Sequence, residues 1–358
     1  MRKKVFISIP VLVVFGLMLI SLAGCSGDEE LNESTKEVFA MDTYMSFTAY
    51  GQNSGQAVAE AESRVHELDY MLNSSNYTDG SEGESAEACE LYQLNENGGG
   101  KLSGDVNYLI GKALELNELT EGAFNPCMYT IMEAWGFTSK DYRVPSDVEL
   151  KELKTFTDVS ALEYDPESKT LKINKKGMKI DLGGIAKGYT SAQIVDIFKS
   201  HDIKNGLINL GGNVQALGTK PDGSLWRVGI QNPDDSGGCL GAIAVENKAV
   251  ITSGGYERYF EEDGRTYHHI IDPETCVPVE NDVKSMTIVS EDGTLADALS
   301  TALFVMGKDK AREFWQKYGA EYGFEIVIID EDLDAYVSEG IINDYEPEEG
   351  YRVIAVEK

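Results

Sequence analysis

Apolar residues recur along this 358-residue chain with two spacings, every second position or every third and fourth, and the switching between them predicts where strands give way to helices. Residues 38–51 alternate over Met45, Phe47 and Ala49 like a half-buried strand, with Met41-Asp42-Thr43 near its start. Residues 56–72 then place Val58, Ala61, Val65, Leu68 and Leu72 on one helical face. Residues 73–104 are rich in Asn, Ser, Gly and Glu and read as loop with one helical turn around Leu91. A second helix is expected over 105–119, broken by Gly122-Ala123-Phe124-Asn125-Pro126. Residues 131–137 form a bulky packing cluster, and 142–176 suit a peripheral helix and a hairpin. A strand over 177–182 leads to a glycine turn and a helix carrying Ala192, Val195 and Phe198. Beyond it, 206–218 reads as one apolar strand interrupted by Gly211-Gly212. Short strands over 226–230, 240–245, 249–255 and 267–273 follow, then helices over 295–306 and 308–318 and strands near Ile326 and Val353. The fold class is therefore mixed α/β of the α+β kind, with partly antiparallel sheets and packed helices.

The stretch Asp181 to Ile194, D-L-G-G-I-A-K-G-Y-T-S-A-Q-I, concentrates the chemistry. Glycines at a strand-to-helix turn let backbone approach a ligand, and helix N–H groups and dipole favour an anion there. Lys187 adds a cation, although a solvated lysine beside a plain turn gives the same letters. Neither a P-loop nor G-x-G-x-x-G is present. Asp297 and Thr301 lie four apart on one helix face, so a carboxylate and a hydroxyl can reach one hard cation such as magnesium. An exposed Asp with a Thr bonding back into its helix reads the same way. His268 and His269 point to opposite faces of a strand, and Asp272 ends it on Pro273. Glycine-exposed backbone, one lysine and oxygen ligands together suit a diphosphate with magnesium.

Residues 1–24 change the picture of where the chain works. Arg2, Lys3 and Lys4 precede an apolar run over 5–22, and Leu22-Ala23-Gly24-Cys25 resembles a bacterial lipobox. That resemblance implies cleavage before Cys25, lipid on its thiol and a membrane-anchored chain facing the extracytoplasmic side. A plain membrane anchor is the alternative, marginal at this length. Residues 25–37 are polar and acidic and read as a tether, leaving 38–358 as a single domain. The formal charge of −30 makes nucleic acid a poor partner. Cys89, Cys127, Cys239 and Cys276 offer no C-x-x-C pair, which leaves one or two disulfides or free buried thiols open.

Several motifs together resemble the ApbE-type FAD:protein FMN transferases. In order they are M-D-T at Met41, G-A-F-N-P at Gly122, W-G-F at Trp135, D-L-G-G-I-A-K-G-Y at Asp181 and N-L-G-G-N at Asn209. T-S-G-G-Y-E-R at Thr252, H-I-I-D-P-E-T at His269 and A-D-A-L-S-T-A at Ala296 follow. The resemblance implies a T-fold-like architecture and a magnesium-dependent reaction. In it the pyrophosphate of FAD is attacked by a Thr or Ser hydroxyl of an exported acceptor flavoprotein, FMN stays attached and AMP leaves. It also implies that Met41, Ala123, Phe124, Asn125, Asp181, Lys187 and Ile270 line the FAD site. Gly184, Asp297, Ser300 and Thr301 would hold magnesium, and His269 would be a candidate proton acceptor, although a structural imidazole fits the same letters.

Three positions depart from the family pattern. Asn125 stands where Asp is usual, and Cys276 replaces the Gly of the turn after Pro273, a place that calls for positive φ. The aromatic residue that many members place near the flavin aligns with Ser75, with Tyr77 second. A small side chain there keeps hydrolysis of FAD to FMN and AMP as one alternative, and a flavin-binding lipoprotein without catalysis is another. With Asp297 read as surface-facing, its replacement by Ala is expected to stop metal-dependent turnover and spare the fold. No acceptor motif of the D-G-x-[ST]-G-A-[ST] kind occurs in the chain itself.

Overall fold

The computed structural model describes residues 32–75 and 89–358. Nine strands form a central sheet whose spatial order follows the chain: Glu33–Ala40, Thr43–Tyr50, Asn205–Leu210, Asn213–Leu217, Ala249–Gly254, Val283–Ser290, Phe324–Asp330, Ala335–Ser338 and Val353–Val356. Every neighbouring pair is antiparallel except the last, which is parallel. Among the described residues there are eight α-helices: α1 (Ser54–Met71), α2 (Glu90–Asn97), α3 (Gly104–Leu119), α4 (Tyr129–Trp135), α5 (Asp147–Leu153), α6 (Gly183–Ser200), α7 (Gly293–Met306) and α8 (Lys308–Tyr322). No described helix is long and apolar enough to cross a membrane.

Strand periodicity divides the core into layers. Ile251, Ile288, Ile326 and Ile328 face the helices, while their chain neighbours Val250, Val289, Val327 and Ile329 face a second, three-stranded sheet built on Trp226–Asn232 and Asp235–Val245. Both faces of these strands are apolar because both are covered. Helix α6 straddles two clusters. Its first turns pack Ile185, Ala186 and Tyr189 with α7, and its last turns pack Ile194, Val195 and Phe198 against α1 and the first hairpin. Eleven of the fourteen residues of α7 are buried, so this helix is an internal element, not an amphipathic cover.

Several elements differ from the sequence expectation. The strand expected over 38–51 is a hairpin starting at Glu33, inside the stretch read as tether; Ser34 and Lys36 are polar like Glu33, Thr35 and Glu37 between them, so no apolar alternation marks its first half. Met41 and Asp42 form the two-residue loop, both with positive φ (49° and 58°), a geometry that Met tolerates at a cost. The strand expected over 206–218 is likewise a hairpin, turning on Gly211-Gly212 (φ 67° and 99°). Residues 177–182 form no strand and run from a turn at Gly177 to the N-cap of α6 at Leu182. The side chain of Asn95 takes the place of a neighbouring strand, accepting from Ile180 N (2.7 Å) and donating to Ile180 O (2.9 Å), and Asp181 N donates to Pro126 O (2.7 Å). The turn expected at Leu91 extends to two turns as α2, and the strand expected over 267–273 stops at His268. Cys127, Cys239 and Cys276 are in no disulfide.

Candidate active site

Two helices cross closely because glycines sit where they meet. A Cβ on Gly188 would lie 2.1 Å from the carbonyl oxygen of Gly293 and 2.6 Å from Asp297 Cβ, so α6 and α7 touch backbone to backbone. That approach buries Asp297, contrary to its reading as a surface carboxylate. Its Oδ2 accepts from Gly188 N (2.8 Å) and its Oδ1 from Asn213 Nδ2 (2.9 Å). Both oxygens keep lone pairs after these bonds.

One turn further along α7, Thr301 faces the start of α6. Its Oγ1 lies 3.9 Å from where a Gly184 Cβ would stand, and Phe124 Cε2 lies 3.2 Å from that point. Ser253, at the end of the strand Ala249–Gly254, reaches Ser300 Oγ (2.8 Å) and Thr301 Oγ1 (3.3 Å). Among the described residues no three His, Cys, Asp or Glu side chains cluster as a metal site. The helix crossing has one buried carboxylate, Asp297, and the Ser300 and Thr301 hydroxyls on the same helix. That hard-oxygen set fits magnesium, which keeps waters and shares phosphate ligands with its substrate.

The second half of the site is built from loops. Met41 sits on its hairpin turn with its N–H bonded to Asp69 (2.8 Å), and its sulfur lies 3.7 Å from Thr190 Oγ1 of α6. Asp181 is held by Ser74 Oγ (3.0 Å); burial pushes its carboxyl up from the usual range, against the Ser74 and Gly183 hydrogen bonds and the charge of Arg258. Lys187, on α6, lies within electrostatic reach of Glu257 and His269. His269 leaves the strand before it and is fixed by Arg258: its backbone N–H donates to the Arg258 carbonyl (3.0 Å), as does Nδ1 (3.2 Å). A carbonyl only accepts, so Nδ1 carries the proton and Nε2 keeps its lone pair. Burial, with Arg258 nearby, holds the His269 pKa well below the usual value, so the ring is neutral at pH 7.

Not every residue singled out in the sequence points at this centre. Asn125 spends its side chain on the loop, donating to Thr157 O (2.8 Å) and accepting from Cys127 N (2.8 Å). Ser75 bonds back to Asn73, and its neighbour Ser74 is the residue that reaches Asp181. Ala123 is half-buried beside buried Phe124, and Ile270 is buried with its N–H on His268 Nδ1 (3.2 Å). Cys276 does adopt positive φ (60°), with Trp135 Nε1 donating to its carbonyl (2.8 Å). Asp272 caps that turn, accepting from Glu274 N and Thr275 Oγ1. Cys25 and Tyr77 lie outside the described residues.

Comparison with known proteins decides the family. The sequence profile described as "ApbE family" matches residues 41–324. The chain belongs to the ApbE family. A FAD:protein FMN transferase of Treponema pallidum is 31% identical over 346 residues, covering 91% of this chain and 92% of that protein. The ApbE protein of Thermotoga maritima superposes with a TM-score of 0.78 at 33% identity, covering 88% of this chain and all of the other. The Vibrio cholerae flavin transferase ApbE does so at 0.70 and 25% identity, over 85% of this chain and 96% of the other. In this ApbE chain, three residues of the site carried no role in the sequence reading: Ser253, Glu257 and Arg258. All three lie in T-S-G-G-Y-E-R, so the motif itself was the available signal. Burial raises the Glu257 carboxyl to about 7, with Asp297 adding to the effect and Lys187 and Arg258 opposing it.

Proposed function

We propose that this chain transfers the FMN part of FAD to a Thr or Ser hydroxyl of an exported protein, with AMP released and magnesium required. The observation that carries the reading is the helix crossing. It packs Asp297 against Gly188 and Thr301 close to Gly184, on a helix that also carries Lys187, which is within electrostatic reach of neutral His269, in a chain 31% identical to a FAD:protein FMN transferase. Gly184, Asp297, Ser300 and Thr301 are the proposed holders of magnesium, which when bound neutralises charge on the pyrophosphate oxygens. Met41, Ala123, Phe124, Asp181 and Ile270 are the proposed walls for the flavin nucleotide, with Asn125 acting through its backbone and loop.

Lys187 offers its ammonium to the charge that grows as the P–O bond to AMP breaks. The acceptor oxygen forms the new bond to the FMN phosphorus, the bridging oxygen leaves with AMP, and the hydroxyl proton passes to His269 Nε2. Incubating the detergent-solubilised chain with FAD, magnesium and an exported flavoprotein acceptor should give covalent flavin fluorescence on the acceptor band, with one AMP per flavin. AMP without a labelled acceptor would instead support FAD hydrolysis. FAD binding without turnover in either magnesium or EDTA would leave a flavin-binding lipoprotein. Lys187→Ala should weaken FAD affinity about tenfold in a fluorescence titration while the unfolding midpoint stays put.

Attachment to the membrane through lipid on Cys25, facing away from the cytoplasm, belongs to the same proposal. It rests on the Leu22-Ala23-Gly24-Cys25 pattern, and mass spectrometry of the N-terminal peptide tests it.

A further inference from the structure

Three hydroxyls and one carbonyl beside the helix crossing form a chain with a forced proton order. Ser300 Oγ lies 2.8 Å from the carbonyl oxygen of Asp297, and a carbonyl only accepts, so the single Ser300 hydroxyl proton goes there. Ser300 Oγ must then accept across its 2.8 Å contact with Ser253 Oγ, which uses the Ser253 proton. With its proton spent, Ser253 can only accept across the 3.3 Å contact with Thr301 Oγ1. The Thr301 proton therefore points at Ser253, and its lone pairs point elsewhere, with the start of α6 at Gly184 close by. Thr190 shows the ordinary alternative, donating to the carbonyl four residues back in its own helix (2.8 Å). Thr301 has its partner in Ser253 instead.

We propose that Ser253 is a positioning residue that turns the Thr301 hydroxyl into a pure acceptor for a divalent cation. The inference rests on the magnesium reading of this site and assigns Ser253 no direct contact with the ion. A cation on Thr301 polarises its O–H and tightens the long 3.3 Å link, so occupancy of the site and order of the chain reinforce each other. Outer partners of this kind typically change metal affinity by about 10- to 100-fold.

The test measures magnesium binding by calorimetry on the detergent-solubilised full chain, and FAD binding in EDTA by flavin fluorescence. Ser253→Ala should weaken magnesium by about tenfold or more with FAD affinity in EDTA unchanged, and Ser253→Thr, which keeps the hydroxyl, should restore it. Thr301→Val should lose at least as much, and the double variant should fall no further than Thr301→Val alone. If Ser253→Ala does not fold, Ser253→Cys, of similar volume and poorer as an acceptor, must shift magnesium affinity in the same direction. Magnesium affinity unchanged by the Ser253 substitutions, or losses that add in the double variant, would overturn the role of Ser253. No divalent-ion binding by the unsubstituted chain would overturn the magnesium reading and this inference with it.

Discussion

Removing the Asp297 carboxylate takes the acceptor from two donors at once, Gly188 N and Asn213 Nδ2, both buried at the helix crossing. Asp297→Ala is therefore expected to destabilise the fold by about 2–4 kcal/mol as well as to abolish magnesium-dependent turnover. Urea denaturation in EDTA separates the two effects, and an unchanged midpoint would contradict the bonding described here. Glu257 gives a second residue-scale expectation, with its sign set by linkage. Its folded pKa of about 7 exceeds its ordinary 4.5, so between these values the folded state binds more protons than the unfolded one. Stability from this group thus falls as pH rises from about 4.5 through 7. Glu257→Gln removes that slope. At pH 8 the variant should be more stable than the parent by roughly 1 kcal/mol, allowing for screening of a partly exposed group, and the gain should vanish near pH 4.5. Thermal melts across that range read it directly.

At the scale of elements, the α6–α7 crossing is what the site stands on. Gly188→Ala would drive a methyl group into the Gly293 carbonyl, a fixed backbone atom, so the helices must part. The expected cost is about 3 kcal/mol or more in unfolding free energy, with loss of magnesium binding, because Asp297 moves with α7. Retained binding at parental stability would mean the helices can slide apart freely. The long helices were legible because Ala57, Val58, Ala61, Val65 and Leu68, or Leu299, Ala302 and Leu303, keep one face apolar. The two hairpins were not. Met41 is an unusual residue for a positive-φ turn, and Gly211-Gly212 sits within a run apolar enough to pass for a single strand. The stretch at Ile180 reads as a strand for another reason, since the side chain of Asn95, 85 residues away, supplies the hydrogen bonds a neighbouring strand would.

For the whole molecule, the sequence exposed the pieces of the site but not their assembly. Asp297 and Thr301 were visible as a four-residue spacing, whereas Ser253 enters only because antiparallel pairing sets its strand against Val283–Ser290, under α7. The same global geometry bears on where the enzyme works. From Cys25 to Glu33 the chain can span at most about 28 Å, and the strand Glu33–Ala40 then runs about 26 Å to the Met41 turn. If lipid holds Cys25 at a bilayer, the site stands within roughly 55 Å of the surface, so an acceptor anchored in the same membrane meets it at a raised effective concentration. Cys25→Ser should then leave flavin transfer to a soluble acceptor unchanged and slow transfer to a vesicle-anchored acceptor by about tenfold or more at dilute enzyme. Initial rates of in-gel flavin fluorescence on the two acceptors measure this, and an equal effect of the substitution on both would refute membrane co-localisation as the role of Cys25.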